Sequence, residues 1–132
     1  MADPVVDRSD RRPPDLGPLR DRAARAPADA AARRRLGWAL YGAGEFDEAL
    51  SVLRQACRDF PDDVDLRYGL ALSAKRAGAI DEADEAFLRI AELARAIADP
   101  GRGEILHRLA TGHHNQLRAG HWGLKQEIWG GA

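Results

Sequence analysis

Four histidines are the first residues whose type and spacing invite a chemical reading. His107, His114 and His121 stand seven residues apart, and His113 adjoins one of them. Imidazoles bind metals and carry protons near neutral pH, so three on one helical face would suggest a metal or acid–base centre. The spacing argues against it. Two helical turns separate neighbours by about 10.5 Å of rise, too far for one ion. Helical metal pairs sit at i, i+3 or i, i+4, and these histidines form none. Gly112 and Gly120 can bend the segment, which keeps a His-based metal or catalytic protein as the distant alternative. Surface or partly buried imidazoles, with no metal and no cofactor, are the favoured reading.

The other reactive residues point the same way. Cys57 is the single cysteine, so neither an intrachain disulfide nor a Cys-based zinc site can form. It adjoins an apolar stripe, and no neighbouring His or Lys lowers its pKa, which suits a packing residue. Gly42 and Gly44 separate two helical patterns and make a turn, not a phosphate loop after a strand. Glu45, Asp47 and Glu48 cluster where a helix starts, and the helix dipole accounts for them. There is no nucleophile elbow, phosphate-binding glycine loop or CxxC pair. The sequence therefore predicts a protein that is not an enzyme.

The 132 residues suit one domain with a modest core, and the formal net charge of −1 gives no global pull towards nucleic acid or membrane. Charge is uneven, however. Residues 1–35 hold nine Arg and six Asp, net +3; residues 36–100 are net −6; residues 101–132 are net +2. The Arg-rich start raises nucleic-acid contact, but its interspersed Asp residues dilute the field and favour a solvated tail. MADPVVDRSDRRPP carries no apolar h-region, and no apolar run matches a membrane span. A cytoplasmic location is expected.

Any site must be positioned by helices. Residues 1–27 read as a mostly disordered arm, with a short helix over 15–26 that has Pro18 in its first turn. Helices follow over 28–43, 46–60, 64–77 and 80–98. Asp29, and Asp62 or Asp63, are the N-caps, and Gly44 and Gly78 are the turns. Leu36 and Leu40, Ala49, Leu53 and Ala56, Leu66 and Leu70, and Ala83, Phe87, Ile90 and Ala94 make the buried stripes. A last helix is expected over 104–118 with Ile105, Leu106 and Leu109 inward, and the stop before it at Asp99-Pro100-Gly101.

These helices repeat. Leu36, Gly44, Phe46, Ala49 and Leu53 recur as Leu70, Gly78, Ile80, Ala83 and Phe87, each pair 34 residues apart. Asp47-Glu48-Ala49 returns as Asp81-Glu82-Ala83. The stretch from Leu36 to Pro61 and its echo resemble the tetratricopeptide-repeat family, whose period is 34. The resemblance implies an all-α helix-turn-helix solenoid over 28–132. Repeat one covers about 30–63, repeat two about 64–98, and a degenerate third unit about 103–129. Arg95 stands where the family's closing proline would be. Ala119-Gly120 resembles the repeat's turn, with Trp122, Ile128 and Trp129 as an end cap.

The resemblance also implies a function. In the family the first helix of each repeat lines a concave groove that holds a peptide or protein segment. Carried over, the groove residues are Arg34, Trp38 and Tyr41 from repeat one, and Tyr68, Leu72, Lys75 and Arg76 from repeat two. Arg34, Trp38 and Tyr41 are i, i+4, i+7, as are Tyr68, Leu72 and Lys75, on the face opposite the core stripe. Acidic residues then belong on the second helices, at Asp47, Glu48, Asp59, Asp81, Glu82, Asp84 and Glu85. The expected partner is a protein or peptide with acidic and large apolar residues. Arg34 sits where carboxylate-clamp members place a basic residue, but Trp38 replaces their polar amide, so that specificity is not assigned. Two alternatives stand beside this reading. The N-terminal segment would cover Trp38 and Tyr41, or the Trp-rich C-terminal segment would build a homodimer.

Overall fold

A computed structural model describes residues 15–119 of the chain. These residues form six helices and no strand: α1 (Gly17–Arg25), α2 (Ala30–Gly42), α3 (Phe46–Asp59), α4 (Val64–Arg76), α5 (Ile80–Ala94) and α6 (Pro100–Ala119). The readings made on 1–14, on His121 and on the Trp-rich cap lie outside the described residues.

Local chemistry sets the first five helices. Pro18 sits in the first turn of α1, where a missing N–H costs nothing. The Asp29 carboxylate accepts from the N–H of Ala31 at 3.0 Å and of Ala32 at 3.3 Å, capping α2. Asp63 does the same for α4 through the N–H of Leu66 at 3.0 Å. Gly44 and Gly78 adopt φ of 80° and 84° between paired helices, a conformation that penalises a Cβ.

The expected stripes are buried. Leu36, Leu40, Leu53, Leu66, Leu70, Phe87 and Ile90 share one core with Ala49, Ala56 and Ala83. Cys57 lies in it, and burial pushes its thiol up to about 11. Close helix approach is visible at Gly37, where an added Cβ would lie 2.5 Å from Leu53 Cδ2. Leu53 is fully buried and has nowhere to retreat. Gly37→Ala is therefore expected to cost about 1–3 kcal/mol through overpacking. The reading is a lower urea midpoint at unchanged slope; an unchanged midpoint would mean that Leu53 repacks freely.

The C-terminal third departs from the expectation. α5 ends at Ala94 instead of 98, and Asp99-Pro100 opens α6 instead of merely stopping α5. Asp99 Oδ1 accepts from the N–H of Gly101 at 3.0 Å and of Arg102 at 3.3 Å, an N-cap with Pro at the next position. Ile105 and Leu109 are not inward: they are 61% and 37% exposed. The face that meets α5 is instead Gly103 and Ala110, with Leu106 half-buried. A Cβ on Gly103 would stand 2.7 Å from the Ala94 carbonyl oxygen, so small residues, not large ones, choose the packed side.

α1 has a place that its length conceals. Arg20 grips Glu48 with two bonds of 2.8 Å, and Arg54 grips Glu82 with bonds of 2.7 and 2.6 Å. Both arginines and both glutamates are 34 residues apart. Arg20, Ala23, Arg33 and Leu36 line a cleft of about 650 Å³, and their counterparts Arg54, Cys57, Arg67 and Leu70 line one of about 400 Å³. Thus α1 occupies the position of a second helix, in line with α3 and α5. Where α3 buries Ala49 and Ala56, the corresponding Asp15, just before α1, and Arg22 on α1 are exposed.

Candidate functional site

The three first helices, α2, α4 and α6, share the face that the groove residues occupy. Trp38 of α2 stacks on Tyr68 of α4, ring centroids 6.4 Å apart at 23°. Tyr41 meets Trp38 edge-on at 5.9 Å and Phe46 of α3 at 5.4 Å. Tyr68 continues edge-on to Phe87 of α5 and His113 of α6, both at 6.1 Å. His113 lies flat against Phe87, 4.4 Å away at 6°. One chain of rings thus links five helices. Edge-to-face and offset contacts of this kind hold aromatic side chains in fixed orientations.

Trp38, Tyr41, Tyr68 and Leu72 are half-buried. They do not stand opposite the core, as the helical wheel predicts. Tyr41, Tyr68 and Leu72 rest on the core with one side and leave the other open. Of the N-terminal segment offered as their cover, only the part that holds α1 lies among the described residues. It directs Leu19 and Ala23 to the core and Arg20 to Glu48.

The three basic residues of the set, Arg34, Lys75 and Arg76, differ in their surroundings. Arg34 Nη1 is 2.6 Å from Asp63 Oδ2, so the cap of α4 neutralises it. Lys75 donates to Gln116 Oε1 at 3.0 Å and lies 3.5 Å from His113 Nδ1. Arg76 is exposed, with its guanidinium 4.8 Å from the Phe46 ring at the turn end of the face. Among the described residues, neither Lys75 nor Arg76 has a carboxylate partner.

Three of the second-helix acids are held by arginines away from the rings. Glu48, Asp59 and Glu82 pair with Arg20, Arg33 and Arg54. The hydrogen bond from Arg54 holds the Glu82 carboxyl below its ordinary value. The clefts described above lie beside these arginines, and the Arg20–Glu48 and Arg54–Glu82 pairs bridge helices. They are seams between repeats.

Asp84 lies on the second helix α5 as expected, but it is 3% exposed. Its carboxylate meets His114 Nδ1 and accepts from Arg118 Nε at 2.6 Å. A buried carboxylate needs such partners, and α6 supplies both. His114 is therefore a packing partner of Asp84, while His113 faces Phe87 and Lys75. Among the described residues no three His, Cys, Asp or Glu side chains converge as a metal site requires.

Burial and the Lys75 charge push the His113 imidazole below its ordinary 6.5. The unfolded chain then binds a proton that the folded one resists. Stability on this account is complete above about pH 6.5 and declines as pH falls below it. His113→Phe keeps a flat ring and removes the titration. Between pH 7 and 5.5 the wild type is expected to lose more stability than this variant in urea unfolding. Parallel pH profiles would remove His113 from the account.

The residues that the sequence reading missed are on α6. Ile105, Leu109, His113 and Gln116 fall at i, i+4, i+8 and i+11, one helical stripe. Its C-terminal half touches Tyr68 and Lys75, and its N-terminal half presents two exposed aliphatic side chains. The stripe was legible, but two large apolar residues in it looked like core.

The face is a shaped, half-open surface. The family model described as tetratricopeptide repeat matches residues 18–58 and 34–102. No curated protein and no solved structure is matched. Repeats of this kind generally mediate protein–protein interaction and are generally non-catalytic. The match begins inside α1, in keeping with the Arg20 and Arg54 correspondence. With the 34-residue period, the paired helices and a match that spans more than half its length, the chain belongs to the tetratricopeptide-repeat family.

Proposed function

We propose that the chain is a non-catalytic protein-binding module that holds a segment of a partner along α2, α4 and α6. The observation that carries this reading is the run of half-open rings, Trp38, Tyr41 and Tyr68, bordered by Lys75 and Arg76. Aromatic side chains already fixed by their neighbours lose little freedom on binding, and such residues dominate interface energies. The partner segment is extended or helical. It carries at least one large apolar anchor and an acidic residue for the Lys75–Arg76 rim. No described helix is long and apolar enough to cross a membrane, and a cytoplasmic setting belongs to this reading.

A panel of immobilised peptides, each with one acidic and two large apolar residues, tests it against the full chain. Binding that disappears in Tyr41→Ala supports the reading. Binding that ignores Tyr41→Ala and collapses when Arg54 and Glu85 are reversed in charge would place the site on the second-helix side instead.

A further inference from the structure

We propose that residues 120–132 are the groove's own occupant: the tail that follows α6 lies across the ring-lined face and competes with any partner. This rests on the groove reading above. Three observations carry it.

The first is where α6 delivers the tail. Gln116 accepts from Lys75 at 3.0 Å, and His113 meets Tyr68 at 6.1 Å. The described part of α6 runs only three residues further, to Ala119, so the chain leaves it beside the basic rim of the groove. Gly120 comes next, a residue free to reverse the chain.

The second is reach. Thirteen residues follow Ala119. At about 3.3 Å per extended residue, Trp122 reaches about 10 Å from the end of α6 and Trp129 about 33 Å. Neighbouring helix axes lie about 8–10 Å apart. Both α4 and α2 are within range.

The third is composition. The segment HWGLKQEIW places Trp122, Leu124, Ile128 and Trp129 around a single acid, Glu127. That is the chemistry the face accepts: large apolar anchors for Trp38, Tyr41, Tyr68 and Leu72, and a carboxylate for Lys75 or Arg76. A short tether gives a local concentration of the order of millimolar. A tail of even weak intrinsic affinity, about 0.1 mM, would then lower a partner's apparent affinity roughly tenfold.

The test uses the full chain. Trp38→Phe keeps a ring in the groove and leaves Trp122 and Trp129 as the reporting indoles. Acrylamide is expected to quench them poorly. Lys75→Glu and Leu72→Glu, both at half-buried positions, are expected to raise quenching towards that of a free indole. A labelled synthetic peptide of residues 120–132 is expected to bind the full-length Trp122→Ala/Trp129→Ala variant roughly tenfold more tightly than the wild type, whose site is already filled.

Free quenching in the parent protein overturns the proposal. So does shielding that survives the groove variants but is lost in Ile105→Glu, because the tail then covers the outer side of α6. Shielding that vanishes on dilution, with a dimer in light scattering, assigns the tail to a second copy and also overturns it. In each of these cases, panel peptides still lost in Tyr41→Ala would leave the groove reading standing. If neither the panel peptides nor the tail peptide respond to groove substitutions, the groove reading itself fails.

Discussion

Phe87→Ala is expected to lower stability by about 3–5 kcal/mol, the range for truncating a buried aromatic. Phe87 is fully buried in the middle of α5. Its ring is the surface on which His113 lies flat and against which Tyr68 stands edge-on. Truncation removes apolar area, leaves a cavity between helices, and takes the support from one ring of the half-open face and from the α6 contact. Domains of this size have about 5–15 kcal/mol in total, so thermal melting should drop by at least about 10 °C. Leu88→Ala is the control. Leu88 is the next residue on the same helix but 45% exposed, and its loss should stay within about 0.5 kcal/mol. If the two variants melt alike, the rotation of α5 is misassigned.

The second large effect concerns binding. Against the best peptide from the panel, Tyr41→Ala should weaken the full chain by about 1–4 kcal/mol, the hot-spot range. Tyr41 is held edge-on between Trp38 and Phe46 and is half open. Tyr68→Ala should weaken binding at least as much, but it also strips contacts from Phe87 and His113, so its stability must be measured alongside. Lys75→Glu should act differently: a rim charge sets encounter rate and orientation more than residence time. Its association rate should fall and lose its salt dependence. Glu85→Lys, exposed on the second-helix side, should change neither rate. Titration calorimetry and stopped-flow mixing separate these outcomes. A Tyr41→Ala variant that binds at full strength would move the site away from the rings.

Much of this protein is written locally. Asp29 and Asp63 are followed by helices because their carboxylates reach N–H groups two and three residues ahead. Gly44 and Gly78 turn the chain because the backbone conformation there suits glycine. Leu36, Leu40, Leu53 and Phe87 are buried because their spacing puts them on one helical face, and the 34-residue recurrence makes each assignment twice.

Most of what the local pattern could not determine depends on contacts across 28 to 34 positions of chain. Nothing nearby in sequence announces that Arg34 will meet Asp63, or that Asp84 will meet His114 and Arg118. Ile105 and Leu109 read as core by composition. α6 turns them outward because small residues at Gly103 and Ala110 let it pack closely on its other side. α1 reads as a stray helix until Arg20 is seen to hold Glu48 as Arg54 holds Glu82. Periodicity encodes which face of a helix is apolar, and short-range hydrogen bonds encode where it starts. Which charges cancel, and which of two apolar faces is covered, are decided only when another helix arrives.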